Sequence, residues 1–274
     1  MKVLALGGSG GMGRFSSFAI SNYPNITKVT IADLNEDNAK EFSNFFDDRF
    51  TGIGLDVTDK EHLEKVMSGH DIVLNTTGPF FKFGLPILKS AIKCKCHYFD
   101  ICDDWEPTEE MLKLNDEALK NQITAIVGLG ASPGISNLLG LKAMNELDKT
   151  ESIITGWDVS SAKPEDESSQ KGTNAAMEHG LQQISGEIKV YKDKKYKLTK
   201  PLEKIKIQYP GRGNHDAFIF GHPEAITFPH HFNDLKESVN ACHGSKQSNI
   251  YIIKILRWLL DKKLISFKQG ASLL

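Results

Sequence analysis

Short apolar runs alternate with segments of helical periodicity through the first half of the chain. Each short run predicts a buried strand, and each segment with apolar residues three or four positions apart predicts a helix. The predicted strands cover residues 3–6, 29–32, 50–55, 71–75, 97–100 and 124–127. Because helical crossovers between parallel strands are almost always right-handed, this order predicts a doubly wound parallel sheet of the α/β class, the Rossmann arrangement.

The pattern changes in the second half. A strand over 153–159 and a polar loop over 163–172 precede a helix over 174–184. Short alternating strands follow, over residues 188–191, 197–198, 205–208 and 217–220. Strands this short, separated by turn residues, predict a second α+β domain with a mixed or antiparallel sheet. We therefore divide the chain into domains at residues 1–130 and 131–274.

Glycines follow the first predicted strand at the spacing G-x-G-x-x-G, at Gly8, Gly10 and Gly13. In that motif the first glycine makes a tight turn, the second lets the backbone approach a pyrophosphate, and the third lets the helix pack against the strand. The anion then lies at the positive end of the helix. The sequence therefore predicts a dinucleotide site, to which the intervening loop residues also contribute: Ser9, Gly11 and Met12.

Asp33 ends the second predicted strand, 25 residues after Gly8. An acidic side chain about 20 residues after the glycines accepts hydrogen bonds from the adenosine ribose in dinucleotide-binding proteins, although an aspartate there can also be only a helix cap. A carboxylate at this position repels the 2′-phosphate of NADP, and no arginine directly follows it. We therefore expect NAD as the cofactor, with NADP possible because Arg14 supplies a cation at the helix start.

Two further loops follow strands of the predicted sheet, where ligands of open α/β sheets bind. Asp56 and Val57 come after the third strand; they contact the adenine edge, or Asp56 caps the helix predicted over 60–67. The loop after the fourth strand either lines the nicotinamide half of the site or is a plain turn. Its candidate residues are Thr76, Thr77, Gly78 and Pro79.

Acidic residues gather after the fifth predicted strand, at Asp100, Asp103 and Asp104. Carboxylates in this position either cap the next helix, predicted over 107–121, or face a cationic substrate. Asp104 or Thr108 can supply the cap, whereas Asp100 is harder to assign to it. We therefore expect Asp100 or Asp104 to hold a cationic nitrogen.

The overall composition excludes several classes of partner. The 33 basic and 35 acidic side chains give a net charge of −2, so no global positive field recruits nucleic acid or an anionic membrane. The first apolar strand is too short for a signal peptide, and the later apolar run over 250–260 contains Lys254 and Arg257. We therefore expect a cytoplasmic protein without a membrane segment. The four cysteines lack the spacing of a zinc site or a disulfide framework, so we expect reduced thiols and no metal.

Several segments together resemble the saccharopine dehydrogenase-like family, which includes saccharopine reductases, carboxynorspermidine synthases and lysine dehydrogenases. They are residues 6–13, 75–80, 97–100 and 130–137, with 179–181, 185–187, 221–224 and 227–229 in the second half. The resemblance implies a Rossmann domain that binds NAD(P) and a second domain for substrate binding and dimerisation. It also implies a reaction that interconverts an imine with a secondary amine or an amino acid. Family members usually continue into further C-terminal helices, which we expect this chain to lack.

The resemblance also implies a homodimer that acts on a small amino acid or polyamine-like substrate. Ser132 and Asn137 lie in one of the matching segments and are expected to bind that substrate. Arg212, between two glycines, is either a surface turn residue or the group that holds a substrate carboxylate, because a guanidinium matches a carboxylate in geometry. His179 is the expected acid or base, since an imidazole titrates near neutral pH, although a lone histidine is also often a packing residue.

Other interpretations of the same residues remain open. His222 and Glu224 lie at a turn that faces either the substrate or a dimer interface. A chain that keeps the dinucleotide site without catalysis would be a sensing or scaffold protein, and the fold also supports reductases of C=C or C=O bonds. No Tyr-x-x-x-Lys occurs near the fourth or fifth predicted strand, which argues against the short-chain dehydrogenase mechanism.

Overall fold

The computed structural model describes residues 1–161, 175–244 and 247–273. The chain forms two compact units, Met1–Ile135 and Ser136–Leu274. The sequence places the domain boundary at residues 130 and 131. The polar loop expected over 163–172, and residue 174 at the start of the helix expected after it, lie outside the described residues.

Residues 1–135, which the structure describes in full, contain a six-stranded parallel sheet. Its strands are β1 (Lys2–Leu6), β2 (Lys28–Asp33), β3 (Phe50–Gly54), β4 (Ile72–Asn75), β5 (His97–Asp100) and β6 (Ala125–Ile126). They pair in the order β3-β2-β1-β4-β5-β6. This is the strand order of the Rossmann fold. Strands β2 and β3 are added on one side of β1, and strands β4 to β6 are added on the other side. The predicted α/β class and the six predicted strands are confirmed.

Helices connect these strands: α1 (Gly11–Ser21), α2 (Glu36–Ser43), α3 (Lys60–Met67), α4 (Phe80–Cys94), α5 (Trp105–Leu112) and α6 (Asn115–Lys120). Asn35 and Asp59 cap α2 and α3, since each side chain accepts a backbone hydrogen bond from the third residue after it. The single helix predicted over 107–121 is wrong. A tight turn, in which the Leu114 N–H donates to the Met111 carbonyl, separates α5 from α6.

Apolar side chains cover both faces of this sheet. Successive residues of a strand point to opposite faces, so β1 contributes to two clusters. Val3 packs in a cluster with Ile31 and Phe42, whereas Leu4 packs in a second cluster with Val73. Because both faces are buried, the carboxyl edge of the sheet is where its polar residues can meet a ligand.

The described part of the second unit contains a six-stranded mixed sheet. Its strands are β7 (Ser152–Asp158), β8 (Ile188–Lys192), β9 (Lys195–Thr199), β10 (Lys204–Tyr209), β11 (Gly213–Ile219) and β12 (Glu237–His243). The order β10-β11-β12-β8-β9 is antiparallel throughout, and β7 pairs in parallel with β12. The sequence left open whether this sheet is mixed or antiparallel, and the parallel pair makes it mixed.

The helices of this part are α7 (Ile135–Asn145), α8 (Ala175–Gln183), α9 (Glu224–His231), α10 (Gln247–Asp261) and α11 (Phe267–Ala271), with a short 3₁₀ turn at Val159–Ser161. Helix α9 packs against β12 and β8. Neither α9 nor β12 is predicted from the sequence. Within the described ranges, no helix has both the length and the apolar character that crossing a bilayer requires.

Candidate functional site

The connection after β1 is a tight glycine turn. Gly7 has a φ of +67°, a left-handed conformation that residues with side chains rarely adopt. A Cβ on Gly13 would lie 2.0 Å from the Gly7 carbonyl oxygen, so α1 packs directly on the turn. The sequence assigned the tight turn to Gly8, which lies at the second position of this turn, closed by the Gly10 N–H donating to the Gly7 carbonyl oxygen at 3.0 Å. Gly8 has no positive φ, and its constraint is that a Cβ there would lie 2.9 Å from the oxygen of Ala5.

The first residues of α1 are exposed. Gly10, in extended conformation, precedes the helix and has no side chain with which to cap it. Met12 is 55% exposed, and no atom lies within 4 Å of a Cβ built on Gly11. Backbone N–H groups at a helix start have no partner within the helix, and together with the helix dipole they attract anions. This loop therefore fits a pyrophosphate held by backbone groups.

Asp33 lies at the end of β2 and contacts the glycine loop. Its carboxylate accepts a hydrogen bond of 2.6 Å from the Ser9 hydroxyl and one of 3.3 Å from the Asn35 backbone. The Nε of Arg14 donates to the Ser9 carbonyl oxygen at 2.9 Å, and the guanidinium carbon lies 4.5 Å from the centre of the Phe42 ring. A carboxylate can accept about four hydrogen bonds, so Asp33 retains acceptor capacity for the hydroxyls of a ligand.

The loop after β4 is joined to the glycine turn. The Thr76 hydroxyl lies 2.8 Å from the carbonyl oxygen of Leu6 and 3.1 Å from that of Gly7. The Thr77 Oγ1 lies 3.1 Å from the place a Cβ on Gly7 would take. This oxygen is buried and has no hydrogen-bond partner among the described residues. Buried hydroxyls are nearly always paired, so Thr77 beside the turn fits a polar atom of a ligand.

The other predicted cofactor residues lie in the loops after β3 and β4. Gly78 and Pro79 are exposed directly before α4, and Val57 is half-buried. Asp56 accepts hydrogen bonds from the backbone and the hydroxyl of Thr58, at 2.8 and 2.7 Å. These bonds hold the pKa of Asp56 below its usual value. The cap of α3 is Asp59, so the alternative in which Asp56 caps this helix is wrong.

Asp100 is wholly buried, and both of its oxygens are engaged. Oδ1 accepts hydrogen bonds from the backbone of Cys102 and Gly128, at 3.0 and 2.8 Å. Oδ2 accepts one from the Tyr98 hydroxyl at 2.8 Å, and that hydroxyl accepts one from the Asn75 amide at 3.0 Å. The expectation that Asp100 holds a cationic substrate nitrogen is therefore wrong, because its buried carboxylate oxygens accept hydrogen bonds from the protein itself.

The Asp100 chain, as we call the hydrogen-bonded set Asn75, Tyr98, Asp100 and Gly128, joins the ends of β4 and β5 to the loop after β6. Burial raises the pKa of Asp100 to about 6, although its three hydrogen bonds oppose that shift. Burial and the neighbouring carboxyl likewise raise the pKa of Tyr98 well above its usual value. Asp100 thus fixes the carboxyl edge of the sheet instead of facing a substrate.

Asp104 and Ser132 follow strands β5 and β6 in the sequence, and both strands end at this edge. Asp104 precedes α5 and is 8% exposed. Its side chain does not cap the helix, and its carbonyl oxygen accepts the Thr108 hydroxyl at 2.8 Å instead. Ser132 is half-buried in the turn that follows β6. Asp104 is therefore the remaining carboxylate of the two proposed for a cationic nitrogen.

The second unit carries the other predicted site residues. His179 is half-buried in α8. Asn137 lies in α7, and its amide donates to the Thr227 hydroxyl at 3.0 Å. Arg212 is exposed in the turn between β10 and β11, where its N–H donates to the Tyr209 carbonyl. This is the surface-turn position that the sequence left open for Arg212.

Buried polar residues of the second unit surround Glu224. Its Oε1 accepts a hydrogen bond of 2.5 Å from the Ser136 hydroxyl. Its Oε2 accepts one of 3.0 Å from the Asn240 amide and lies 2.5 Å from Nδ1 of His222. Asn240 also accepts the backbone N–H of Ala225 at 2.9 Å. His222, Glu224 and Asn240 are wholly buried, so this network belongs to the interior of the unit.

The imidazole of His222 is held by this network. Its Nδ1 makes the hydrogen bond to the Glu224 carboxyl group. The rings of Trp157 and Phe220 lie 5.0 and 5.3 Å from the imidazole. Sequence reasoning named His222 and Glu224 but not Asn240, whose polar side chain within the apolar run 239–241 was the available signal.

The strand order, the glycine turn and the carboxylate at the end of β2 define a dinucleotide-binding protein of the Rossmann class. Residues 3–126 match the model of the saccharopine dehydrogenase NADP binding domain. The resemblance to the saccharopine dehydrogenase-like family is thus confirmed: the first unit of this chain is similar to the NADP binding domain of that family.

Two relatives and one solved structure illustrate the extent of the similarity. Saccharopine dehydrogenase [NADP(+), L-glutamate-forming] of Schizosaccharomyces pombe is 28% identical over 129 residues, 47% of this chain and 27% of that protein. Its namesake from Saccharomyces cerevisiae is 31% identical over 97 residues, 35% of this chain and 21% of that protein. The solved structure of apo histidine-tagged saccharopine dehydrogenase (L-Glu forming) from S. cerevisiae has a TM-score of 0.64 at 22% identity, and the alignment covers 93% of this chain and 57% of that chain. This last similarity concerns the fold.

Proposed function

We propose that this protein is an NAD(P)-dependent oxidoreductase that acts on a carbon–nitrogen bond. The observation that carries the proposal is the glycine turn with its exposed helix start and with Asp33 hydrogen-bonded to the glycine loop. That arrangement lies in a domain whose matching family and relatives are named as saccharopine dehydrogenases, which supports a dehydrogenase reaction.

In this proposal each part of the dinucleotide has its own group of residues. The pyrophosphate binds the backbone of the glycine loop, formed by Gly8, Ser9, Gly10, Gly11, Met12 and Gly13. Asp33 accepts hydrogen bonds from the ribose, and Asp56 with Val57 contacts the adenine. The nicotinamide half binds along Thr76, Thr77, Gly78 and Pro79. The bound dinucleotide supplies the hydride chemistry, and the protein supplies binding and orientation.

The proposed substrate is a small amino acid or a polyamine-like amine. Oxidation of such an amine to an imine removes one hydride and one proton from the substrate, and His179 is proposed to take the proton, because imidazoles titrate near neutral pH. Asp104 is proposed to hold the cationic nitrogen, with Ser132 and Asn137 as polar contacts. A cytoplasmic homodimer belongs to the same proposal and rests on the composition and the family resemblance.

Titration of the full chain with NADH and NADPH, followed by nicotinamide fluorescence, tests the proposal. We expect at least one of them to bind with a Kd between about 1 μM and 1 mM, the range that KM values of enzymes commonly span. Gly10→Ala should weaken that binding, because a methyl group on the loop stands where the pyrophosphate approaches. Gly69→Ala is the matched control, since a Cβ there meets its nearest atom at an ordinary 3.6 Å.

A turnover screen completes the test. Amino acids with the oxidised cofactor, and α-keto acids plus amines with the reduced cofactor, are followed at the nicotinamide absorbance band. Turnover of any of these supports the proposed reaction. Binding without turnover favours the sensing or scaffold alternative, and failure to bind either dinucleotide contradicts the proposal.

A further inference from the structure

The negative charge of Asp33 is not neutralised by the neighbouring arginine. Its carboxylate is held by the Ser9 hydroxyl at 2.6 Å and by the Asn35 backbone. The guanidinium of Arg14 binds the Ser9 carbonyl oxygen and stacks on Phe42. Within residues 1–135, no ion pair joins Arg14 to Asp33. The rim beside the glycine loop is therefore acidic.

The segment after Asp33 adds no cation. Residues 34–39 contain no lysine or arginine, and α2 begins with Glu36 and Asp37. The next basic residue, Lys40, is paired with Glu36 at 2.5 Å. A phosphate monoester carries about two negative charges at neutral pH and binds where cations are free to meet it. The rim around Asp33 is acidic, so it should repel such a phosphate.

We infer that Asp33, held in place by Ser9, makes this chain specific for NAD, although its family model and its curated relatives are named for NADP. The inference rests on the proposed dinucleotide site. The carboxylate accepts hydrogen bonds from the ribose hydroxyls and repels a 2′-phosphate. Arg14 is the second specificity residue: when the charge of Asp33 is removed, its guanidinium is the cation at this rim that binds the phosphate.

The test is calorimetric titration of the full chain with ADP-ribose and with 2′-phospho-ADP-ribose. These two probes differ only in the 2′-phosphate and need no turnover. We expect ADP-ribose to bind at least about tenfold more tightly, since like charges at short range in a partly buried rim repel strongly. The result should hold at low and at moderate salt, with a smaller ratio at the higher ionic strength.

Three variants assign the effect to residues. Asp33→Asn is isosteric and keeps an acceptor for Ser9, and we expect it to reduce the tenfold preference to about unity because the repulsive charge is gone. Asp33→Asn combined with Arg14→Met should lose the binding of 2′-phospho-ADP-ribose that Asp33→Asn gains. Asp37→Asn is the matched control, since it removes the same charge from an exposed position in the first turn of α2. Thermal melts confirm that each variant is folded.

Each outcome separates this inference from the proposed function. If neither probe binds the wild-type chain, the dinucleotide site itself is refuted. If 2′-phospho-ADP-ribose binds as tightly as ADP-ribose or more so, the site stands and NAD specificity is overturned. If Asp37→Asn changes the ratio as much as Asp33→Asn, the selectivity belongs to the general field of the rim and the role of Asp33 is overturned.

Discussion

At the scale of single residues, Asp100 and Asp104 lie four positions apart, and the sequence alone does not distinguish their roles. Both follow the same strand, and both are suited to a cationic ligand by composition. In the structure Asp100 binds two backbone N–H groups and a tyrosine hydroxyl, whereas Asp104 begins a helix. The donors Tyr98 and Gly128 come from different elements, so only the assembled sheet reveals where the carboxyl group of Asp100 points.

Asp100 should make stability depend on pH. Its pKa is raised to about 6 in the folded chain, against an ordinary 3.8, so folding binds a proton between these values. Its contribution is complete below about pH 4 and is lost as pH rises through about 6, by at most about 3 kcal/mol at about 1.4 kcal/mol per pKa unit. Asp100→Asn should lack this loss. Urea unfolding at intervals from pH 4 to pH 8 measures the difference between the two proteins.

The exposed Asp48→Asn serves as the control, because it removes a carboxyl group that lies outside any buried network. Its unfolding free energy should follow that of the wild-type chain at every pH. Parallel curves for the wild type and Asp100→Asn would show that Asp100 does not bind a proton on folding.

Glu224 is the corresponding residue of the second unit. Glu224→Gln turns one of the two carboxylate oxygens into an NH2 donor, so either the Ser136 hydroxyl or the Asn240 amide loses its acceptor in this network. We expect a loss of about 1–3 kcal/mol in unfolding free energy, the usual cost of an unsatisfied buried group. Guanidinium unfolding measures it, with the exposed Glu187→Gln as control. Equal losses in the two variants would contradict the role of the network.

At the scale of elements, the glycine motif predicted a turn and a close helix approach, but not which glycine takes the left-handed conformation. Gly7 and Gly8 are adjacent and both lack a side chain, so the pattern alone favours neither. The position of β2 decides, since the N–H groups of Gly7 and Gly8 both reach the carbonyl oxygen of Ala32. Gly7 then takes the positive φ.

The packing of α1 on that turn gives a sharp prediction. A Cβ at Gly13 would lie 2.0 Å from a backbone oxygen, so Gly13→Ala must displace the helix or the turn. We expect a loss of about 1–3 kcal/mol or more in stability, the range for overpacked sites. ADP-ribose binding should weaken as well. Urea unfolding and calorimetry measure both, with Gly69→Ala as control, and a Gly13→Ala chain as stable as that control would refute the close approach.

Helix α9 and strand β12 were not predicted, for a reason that lies in their sequences. Ser238 and Asn240 interrupt β12 with polar side chains at positions that a buried strand usually fills with apolar ones. Their partners are the Glu224 carbonyl oxygen, its carboxylate and the Ala225 backbone, which all belong to the start of α9. The polar groups of each element find their hydrogen-bond partners in the other element. Neither segment alone therefore predicts its own secondary structure.

At the scale of the whole molecule, the alternation of apolar runs was enough to predict the parallel sheet, its class and the mixed or antiparallel character of the second sheet. Local motifs placed Asp33 and Thr77 beside the glycine turn because strand ends of one sheet share an edge. Residues such as Arg212 and Asp100 have no comparable rule, since their surroundings come from distant parts of the chain. Family resemblance carried the prediction further in the first unit than in the second.

Hydrogen exchange should locate the ligand within the molecule. ADP-ribose is expected to slow amide exchange in peptides that cover residues 7–13 and 75–79, because bound backbone groups open less often. Peptides of β8 and β9 should exchange at unchanged rates, which makes them the internal control. Mass spectrometry of the full chain with and without ligand measures both, and protection confined to the second unit would contradict the assignment of the site.

The Asp100 chain has a consequence for the thermodynamics of binding. It ties the loops after β4 and β6 to the sheet through hydrogen bonds within the protein, at Asn75 and Gly128. A ligand at this edge therefore meets a preorganised backbone and loses little conformational entropy in ordering it. Removing the hydrogen bonds of the Asp100 chain should make ligand binding more enthalpic and entropically less favourable, even where the dissociation constant changes little.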